Sequence, residues 1–166
     1  SSPSILDRFT VLEAPALERS DFTFVNSLAF ASYDWRRRPG YSGSGGFYRL
    51  QFDDFRDRGH GTYSFQSLEL EVQQLIPILR ANWVVALRGL ATTTGTGNSG
   101  DVPFFMLPAL GGGSTLRGYP DYRFIDRNRM LMTAEVRWTP ARFLDMALFY
   151  DTGKVAPCLR DLGFHE

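Results

Sequence analysis

The sequence has few of the side chains on which disulfides, metal sites and nucleic-acid binding depend. Its single cysteine, Cys158, excludes an internal disulfide. The only histidines, His60 and His165, are far apart and lie near no cysteine or carboxylate cluster with metal-ligand spacing. We therefore expect no metal and no other cofactor. The 18 basic and 18 acidic side chains give a formal net charge of zero, so electrostatics provides no case for nucleic-acid binding.

Motifs of catalysis are also missing. The sequence has no G-x-S-x-G nucleophile elbow, and its glycine runs lack the Gly-Lys-Ser/Thr ending of a phosphate-binding loop. The stretch Asp151-Thr152-Gly153 resembles the core of aspartic proteases. Those enzymes need two carboxylates that share a proton, and here Lys154 follows where a small residue is expected. We therefore predict that this segment is not an enzyme.

No run of about 18 apolar residues is present, which excludes a transmembrane helix but not a membrane β-barrel, whose strands carry a weaker, alternating signal. The 16 glycines, nine prolines and 14% aromatic residues favour an all-β chain with many turns. About six segments are strand candidates in which apolar and polar residues alternate with a period of two, although the facing of the first segment is ambiguous. These segments are 22–36, 47–57, 62–76, a strand beginning at 82, 128–138 and 144–153.

Three features favour one wall of a membrane barrel. The segments approach the ~9–11 residues that cross a membrane when tilted. Tight turns at 39–46, 77–81 and 139–142 alternate with longer connections at 57–61 and 92–126. The non-apolar faces carry rows of Glu, Gln, Arg and Asp, as a water-filled lumen would. A soluble antiparallel sheet with one solvated face has the same period and remains the alternative.

The domain prediction follows from these segments. Residues 1–21 are expected to form a lead-in loop, and residues 22–166 to form a partial outer-membrane barrel domain. The connection 92–126 is longer than the ~12–15 residues usual for a structureless loop. Its apolar residues Phe104, Phe105, Met106, Leu107 and Leu110 need burial, which argues against disorder.

Two motifs in this part of the chain resemble a known family. After the glycine run comes Leu116-Arg117-Gly118-Tyr119, and two strands later Phe149-Tyr150-Asp151-Thr152-Gly153 matches the pattern F-x-D-x-G. In this order and at this separation, the motifs resemble those of the BamA/TamA outer-membrane assembly superfamily, the bacterial surface antigen family. The likeness is close from 104 to 156 and looser upstream.

The resemblance implies an antiparallel meander within a sixteen-stranded barrel of the bacterial outer membrane, with a long loop folded inward against the wall. It implies a contact between Arg117 and Asp151, for which a bidentate guanidinium–carboxylate pair is well suited. Tyr119 is expected to pack the loop tip against the wall. The sharp turns of the tip are assigned to glycine, which tolerates them, at Gly111, Gly112, Gly113 and Gly118.

The function implied is insertion or translocation of proteins at the outer membrane. The implied partners are outer-membrane lipid, client or secreted polypeptides and periplasmic modules of the same chain, with no nucleic acid. Two other functions stay open: a barrel that anchors or exports an attached enzyme such as a patatin-like phospholipase, and a soluble β-rich binding domain. About six strands cannot close a lumen. We therefore expect the chain to be a piece of a longer protein that does not form a pore by itself.

Overall fold

Six long strands form one antiparallel sheet in chain order. The computed structural model describes residues 23–37, 43–59, 63–78, 82–96, 101–141 and 144–163, so the expected lead-in loop 1–21 lies outside the described residues. The strand order confirms the predicted all-β meander. The long strands are β1 (Phe24–Asp34), β2 (Gly45–Asp57), β3 (Phe65–Ile78), β4 (Trp83–Thr96), β7 (Asn128–Ala141) and β8 (Leu144–Ala156).

Most of the remaining regular structure lies in the connection between β4 and β7. Two short strands, β5 (Ala109–Leu110) and β6 (Phe124–Ile125), pair antiparallel within it. One 3-10 turn, Phe104–Met106, precedes β5, and another, Leu159–Leu162, follows β8. In the part of the chain that the structure describes, no helix is long and apolar enough to cross a membrane.

The register places the two kinds of side chain on opposite faces of the sheet. Residues directly opposite in an antiparallel pair share a face, and Glu69 lies opposite both Gln51 and Thr92. Thr92 in turn lies opposite Arg129, so one row of polar side chains crosses four strands. The same register puts Phe52, Leu68 and Thr93 together on the other face. We call these the polar face and the apolar face.

The register also resolves β1, whose facing the sequence left ambiguous. Ala29 lies opposite Phe52 and therefore belongs to the apolar face. Leu28 and Phe30 lie opposite Asp53 and Gln51, so these two apolar side chains belong to the polar face. The small residues Ala29 and Ala31 of β1 thus share their face with Phe52 and Leu50 of β2.

The apolar face has no second protein layer against it among the described residues. Leu148 is 77% exposed, and Leu70 and Met132 are also exposed. The buried leucines lie on the polar side instead, where the β4–β7 connection folds back onto the sheet. A contiguous exposed apolar surface of this kind marks an interaction surface, and here we expect it to contact lipid.

The strand β4 extends beyond the point where the sequence places the start of the loop. The prediction begins the loop at 92, whereas β4 continues to Thr96. Thr92 donates to Glu69 Oε2 at 3.0 Å, and Thr94 N–H donates to the Arg127 carbonyl at 2.9 Å. The sequence predicts a loop from Thr92 because the stretch has little regular signal, but threonine suits strands, and pairing with β3 and β7 keeps it extended.

The two faces should respond differently to a charge. Leu70→Arg should destabilise the membrane-inserted protein by about 2–4 kcal/mol, because a lipid-facing strand position near mid-membrane cannot hydrate the guanidinium. Urea titration of the protein in phospholipid vesicles measures this. The control is Ser67→Arg on the polar face, where Asp53 lies opposite. Equal costs at both positions would contradict the assignment of the faces.

Candidate functional site

The connection between β4 and β7 is anchored to the polar face by a cluster of leucines. Leu110 and Leu116 of the connection are buried against Leu90 of β4 and Leu131 of β7. Burying a leucine side chain contributes roughly 1.5–3 kcal/mol. The connection is therefore packed onto the wall, as the apolar content of its sequence indicates. Phe124 and Val155 pack at the margin of the same cluster.

Gly153 on β8 makes room for these leucines. A Cβ atom at this position would lie 2.8 Å from Leu110 Cδ1, 3.0 Å from the Met130 carbonyl oxygen and 3.5 Å from Leu116 Cδ2. The first two distances are too short for a side chain to be accepted without movement. The glycine of the F-x-D-x-G pattern thus forms the notch into which the connection fits.

The glycine run makes a turn that other residues would not tolerate. Gly111 and Gly112 have φ angles of +131° and +81°, which favour glycine. A Cβ at Gly111 would collide with the Pro120 carbonyl oxygen, and one at Gly112 would collide with the Asp121 carboxylate. The backbone of the turn therefore approaches the segment that follows the arginine motif very closely.

Hydrogen bonds close this turn on itself. The Gly112 N–H donates to the Tyr119 carbonyl at 2.9 Å, and the Thr115 hydroxyl donates to the Gly111 carbonyl at 2.7 Å. Gly118 also has a positive φ, +98°. Gly113 has none, and a Cβ there would meet open space. Three of the four glycines assigned to the tip are therefore required by the backbone, and Gly113 is not.

Arg117 lies where the connection meets β7 and β8. Its Nε and Nη2 donate to Oδ2 and Oδ1 of Asp151, each at 2.8 Å, which is a bidentate pair. Its Nη1 donates to Glu135 Oε2 at 2.8 Å, and its backbone N–H donates to Asp151 Oδ2 at 3.2 Å. The guanidinium carbon lies 3.5 Å from the centre of the Phe149 ring. The structure thus brings together Arg117, Phe149 and Asp151 of the two motifs.

The electrostatics of the site favour the charged form of Arg117. Hydrogen bonds from the guanidinium to Asp151, and then to Glu135, raise the pKa of Arg117 above its usual value, although partial burial opposes this. The Asp151 side chain is only 4% exposed. Glu135 also pairs with Arg137 at 2.6 Å, so two cations face two carboxylates. Among the described residues, no three histidine, cysteine, aspartate or glutamate side chains are grouped to hold a metal ion.

Tyr119 packs on another residue of the connection. Its ring packs edge-on against Phe124, with centroids 5.3 Å apart, and the residue is 51% exposed. Phe124 in turn packs at the leucine cluster. The tyrosine is thus linked to the wall through Phe124, because the turn at Gly118 directs the chain back toward β6.

Two further arginines contact the connection and carry no motif in the sequence. Arg88 Nη1 donates to the Ser114 carbonyl at 2.7 Å, and Arg129 Nη1 donates to the Ala109 carbonyl at 2.8 Å. Alternation alone places both side chains on the polar face. Their acceptors are backbone carbonyls, however, and a backbone acceptor leaves no side-chain signature that a sequence pattern could reveal.

The fold and this site define a class of protein: an antiparallel meander that forms part of a membrane β-barrel, with a connection packed on the polar face of the sheet. The Omp85 superfamily domain matches residues 8–157, and the chain belongs to that superfamily. This confirms the resemblance found in the motifs. The protein is located in the bacterial outer membrane, which excludes the soluble binding domain considered from the sequence.

A solved structure supports the fold independently. The crystal structure of BamA from Haemophilus ducreyi lacking POTRA domains 1–3 is similar, with a TM-score of 0.70 and 17% identity. The match covers 78% of this chain and 29% of that one, so the chain spans less than a third of the BamA chain it resembles. Comparison with curated proteins found no match.

The ion pair can be tested by exchanging its charges. Arg117→Asp should lower the free energy of unfolding of the membrane-inserted protein by about 3–5 kcal/mol, because the buried Asp151 is left without its cation, while Glu135 keeps only Arg137. Adding Asp151→Arg should restore part of the loss. Urea titration in vesicles measures both.

The matched control for this exchange is Arg123→Asp in the same connection. The structure shows no ion pair of Arg123 within the described residues; its guanidinium lies 5.8 Å from the centre of the Phe124 ring. We expect a small effect there. If the double variant Arg117→Asp/Asp151→Arg is no more stable than the less stable of the two single variants, a direct pair is disproved.

The notch at Gly153 gives a second test. Gly153→Ala should cost about 1–3 kcal/mol, because the added methyl group overpacks the leucine cluster. Protease digestion of the membrane-inserted protein should then cut the connection more rapidly. Gly89→Ala in β4 is the control, since a Cβ there meets open space. Equal tolerance of the two substitutions would show that the connection does not depend on the notch.

Proposed function

We propose that the protein containing this segment inserts or translocates polypeptides at the outer membrane. In this proposal the segment supplies part of the barrel wall, and the connection 101–127 shapes the space inside it. The observation that carries the proposal is the pairing of Arg117 with Asp151 and Glu135, which joins the connection to the inner face of the wall.

The strength of this contact determines what the connection can do. Removing one partner of a buried ion pair costs about 3–5 kcal/mol, because the other charge stays unpaired. A connection held by such a contact keeps its place during thermal motion. In this proposal, a polypeptide that enters the barrel next to the connection therefore contacts a surface that does not move.

The partners proposed from the fold are lipid on the apolar face and client polypeptides on the polar side. The apolar face presents Leu70, Met132 and Leu148 in the manner of a lipid-facing wall. The polar face presents side chains that water or a polypeptide backbone can hydrogen-bond. No catalytic role is proposed for the segment.

The proposal is tested in cells that depend on the intact protein. Arg117→Ala should reduce the amount of correctly folded outer-membrane proteins, or of a secreted protein, while the variant itself remains inserted. Heat-modifiable gel mobility measures folding of the clients and of the variant, and Arg123→Ala is the control.

Each outcome of this experiment has a distinct meaning. Normal client assembly and secretion, with the connection demonstrably displaced in the Arg117 variant, would refute the proposal. Loss of surface display of a domain on the same polypeptide, with other clients unaffected, would instead support the anchor or export function of an attached enzyme.

A further inference from the structure

The glycine turn is contacted by the wall on both of its sides. Before the turn, the Ala109 carbonyl accepts a hydrogen bond from Arg129 Nη1 at 2.8 Å. After it, the Ser114 carbonyl accepts one from Arg88 Nη1 at 2.7 Å. Arg88 belongs to β4 and Arg129 to β7, so neighbouring strands approach the turn from two positions.

Each of these arginines is also oriented by a glutamate on β3. Arg88 Nε donates to Glu71 Oε1 at 2.8 Å. Arg129 Nη2 donates to Glu69 Oε2 at 2.9 Å, and its Nε donates to the Thr92 hydroxyl at 2.9 Å. A guanidinium is planar and presents its N–H groups in a fixed fork. Binding one side of the fork to β3 therefore directs the remaining N–H group toward the connection.

Together with Arg117 these contacts hold the connection at three points on three strands. Arg88 acts from β4, Arg129 from β7, and Asp151 receives Arg117 on β8. Three such points define both the position and the orientation of the turn. The leucine cluster adds attraction, but apolar contacts have little directional preference.

We propose that Arg88 and Arg129 are positioning residues that hold the glycine turn by its backbone and so direct Arg117 onto Asp151. Recognition of carbonyl oxygens suits this turn, because the positive-φ glycines Gly111 and Gly112 lie between Ala109 and Ser114, and the carbonyls of both flanking residues accept from a charged donor. The inference deepens the proposed function and rests on it only for the consequences in client assembly.

The test is amide hydrogen exchange of the intact protein inserted in phospholipid vesicles. Arg88→Gln should accelerate exchange in the peptides covering 109–119 by roughly tenfold or more, since a hydrogen bond from a charged donor is lost. Exchange in β4 and β7 should change much less. Arg129→Gln should act in the same way.

The matched controls are Glu71→Gln and Glu69→Gln. Each removes one charge from the same pair but keeps an oxygen that accepts from the arginine. If the arginines serve only to pair β3 with its neighbours, each control will accelerate exchange at 109–119 as much as the corresponding arginine variant does. If they position the connection, each control will accelerate exchange at 109–119 clearly less.

Two results would overturn the inference. One is unchanged exchange at 109–119 in both arginine variants. The other is equal acceleration of exchange in the arginine variants and in their controls, Glu71→Gln and Glu69→Gln. Should Arg88→Gln lose protection in the strands, Arg88→Lys replaces it, because lysine keeps the charge but cannot reach Glu71 and Ser114 through one planar fork. Exchange needs no client, so a failure of the proposed function leaves this test valid.

Discussion

The structure depends on the pairing of one guanidinium with two carboxylates on adjacent strands. Asp151 is almost completely removed from water, so its charge must be matched by a cation at short range. Arg117 matches it with two parallel hydrogen bonds and reaches Glu135 with a third group. Such a fork allows few geometries. The position of the connection relative to β7 and β8 follows from this constraint.

Other contacts also hold the connection on the sheet. The leucine cluster removes apolar surface from water, and the notch at Gly153 lets Leu110 approach β8 closely. The wall arginines Arg88 and Arg129 donate to backbone carbonyls on either side of the glycine turn. Apolar packing thus supplies attraction without direction, while the arginines supply direction. A single sheet can in this way hold a long connection without a second layer of strands.

The two faces of the sheet explain how one layer serves an outer-membrane protein. The apolar face is exposed and suited to lipid, while the polar face carries crossing rows of paired charges and the packed connection. The buried leucine cluster lies on the polar side, where the connection provides the packing partner that a second layer provides in soluble sheets.

The sequence by itself determined the long strands and the residues of the two motifs. It also determined which face each side chain occupies in every long strand except β1. Alternation and glycine spacing are local properties, so they can be read from the sequence. It placed the start of the connection at 92 rather than after Thr96, since the pairing of threonines with β3 and β7 is not local. Tertiary structure alone decided that Tyr119 packs on Phe124, that Gly113 needs no special backbone, and that Arg88 and Arg129 hold backbone carbonyls. The physical reason is that a main-chain acceptor has no side-chain identity, so its partner becomes visible only when the chain has folded back onto the wall.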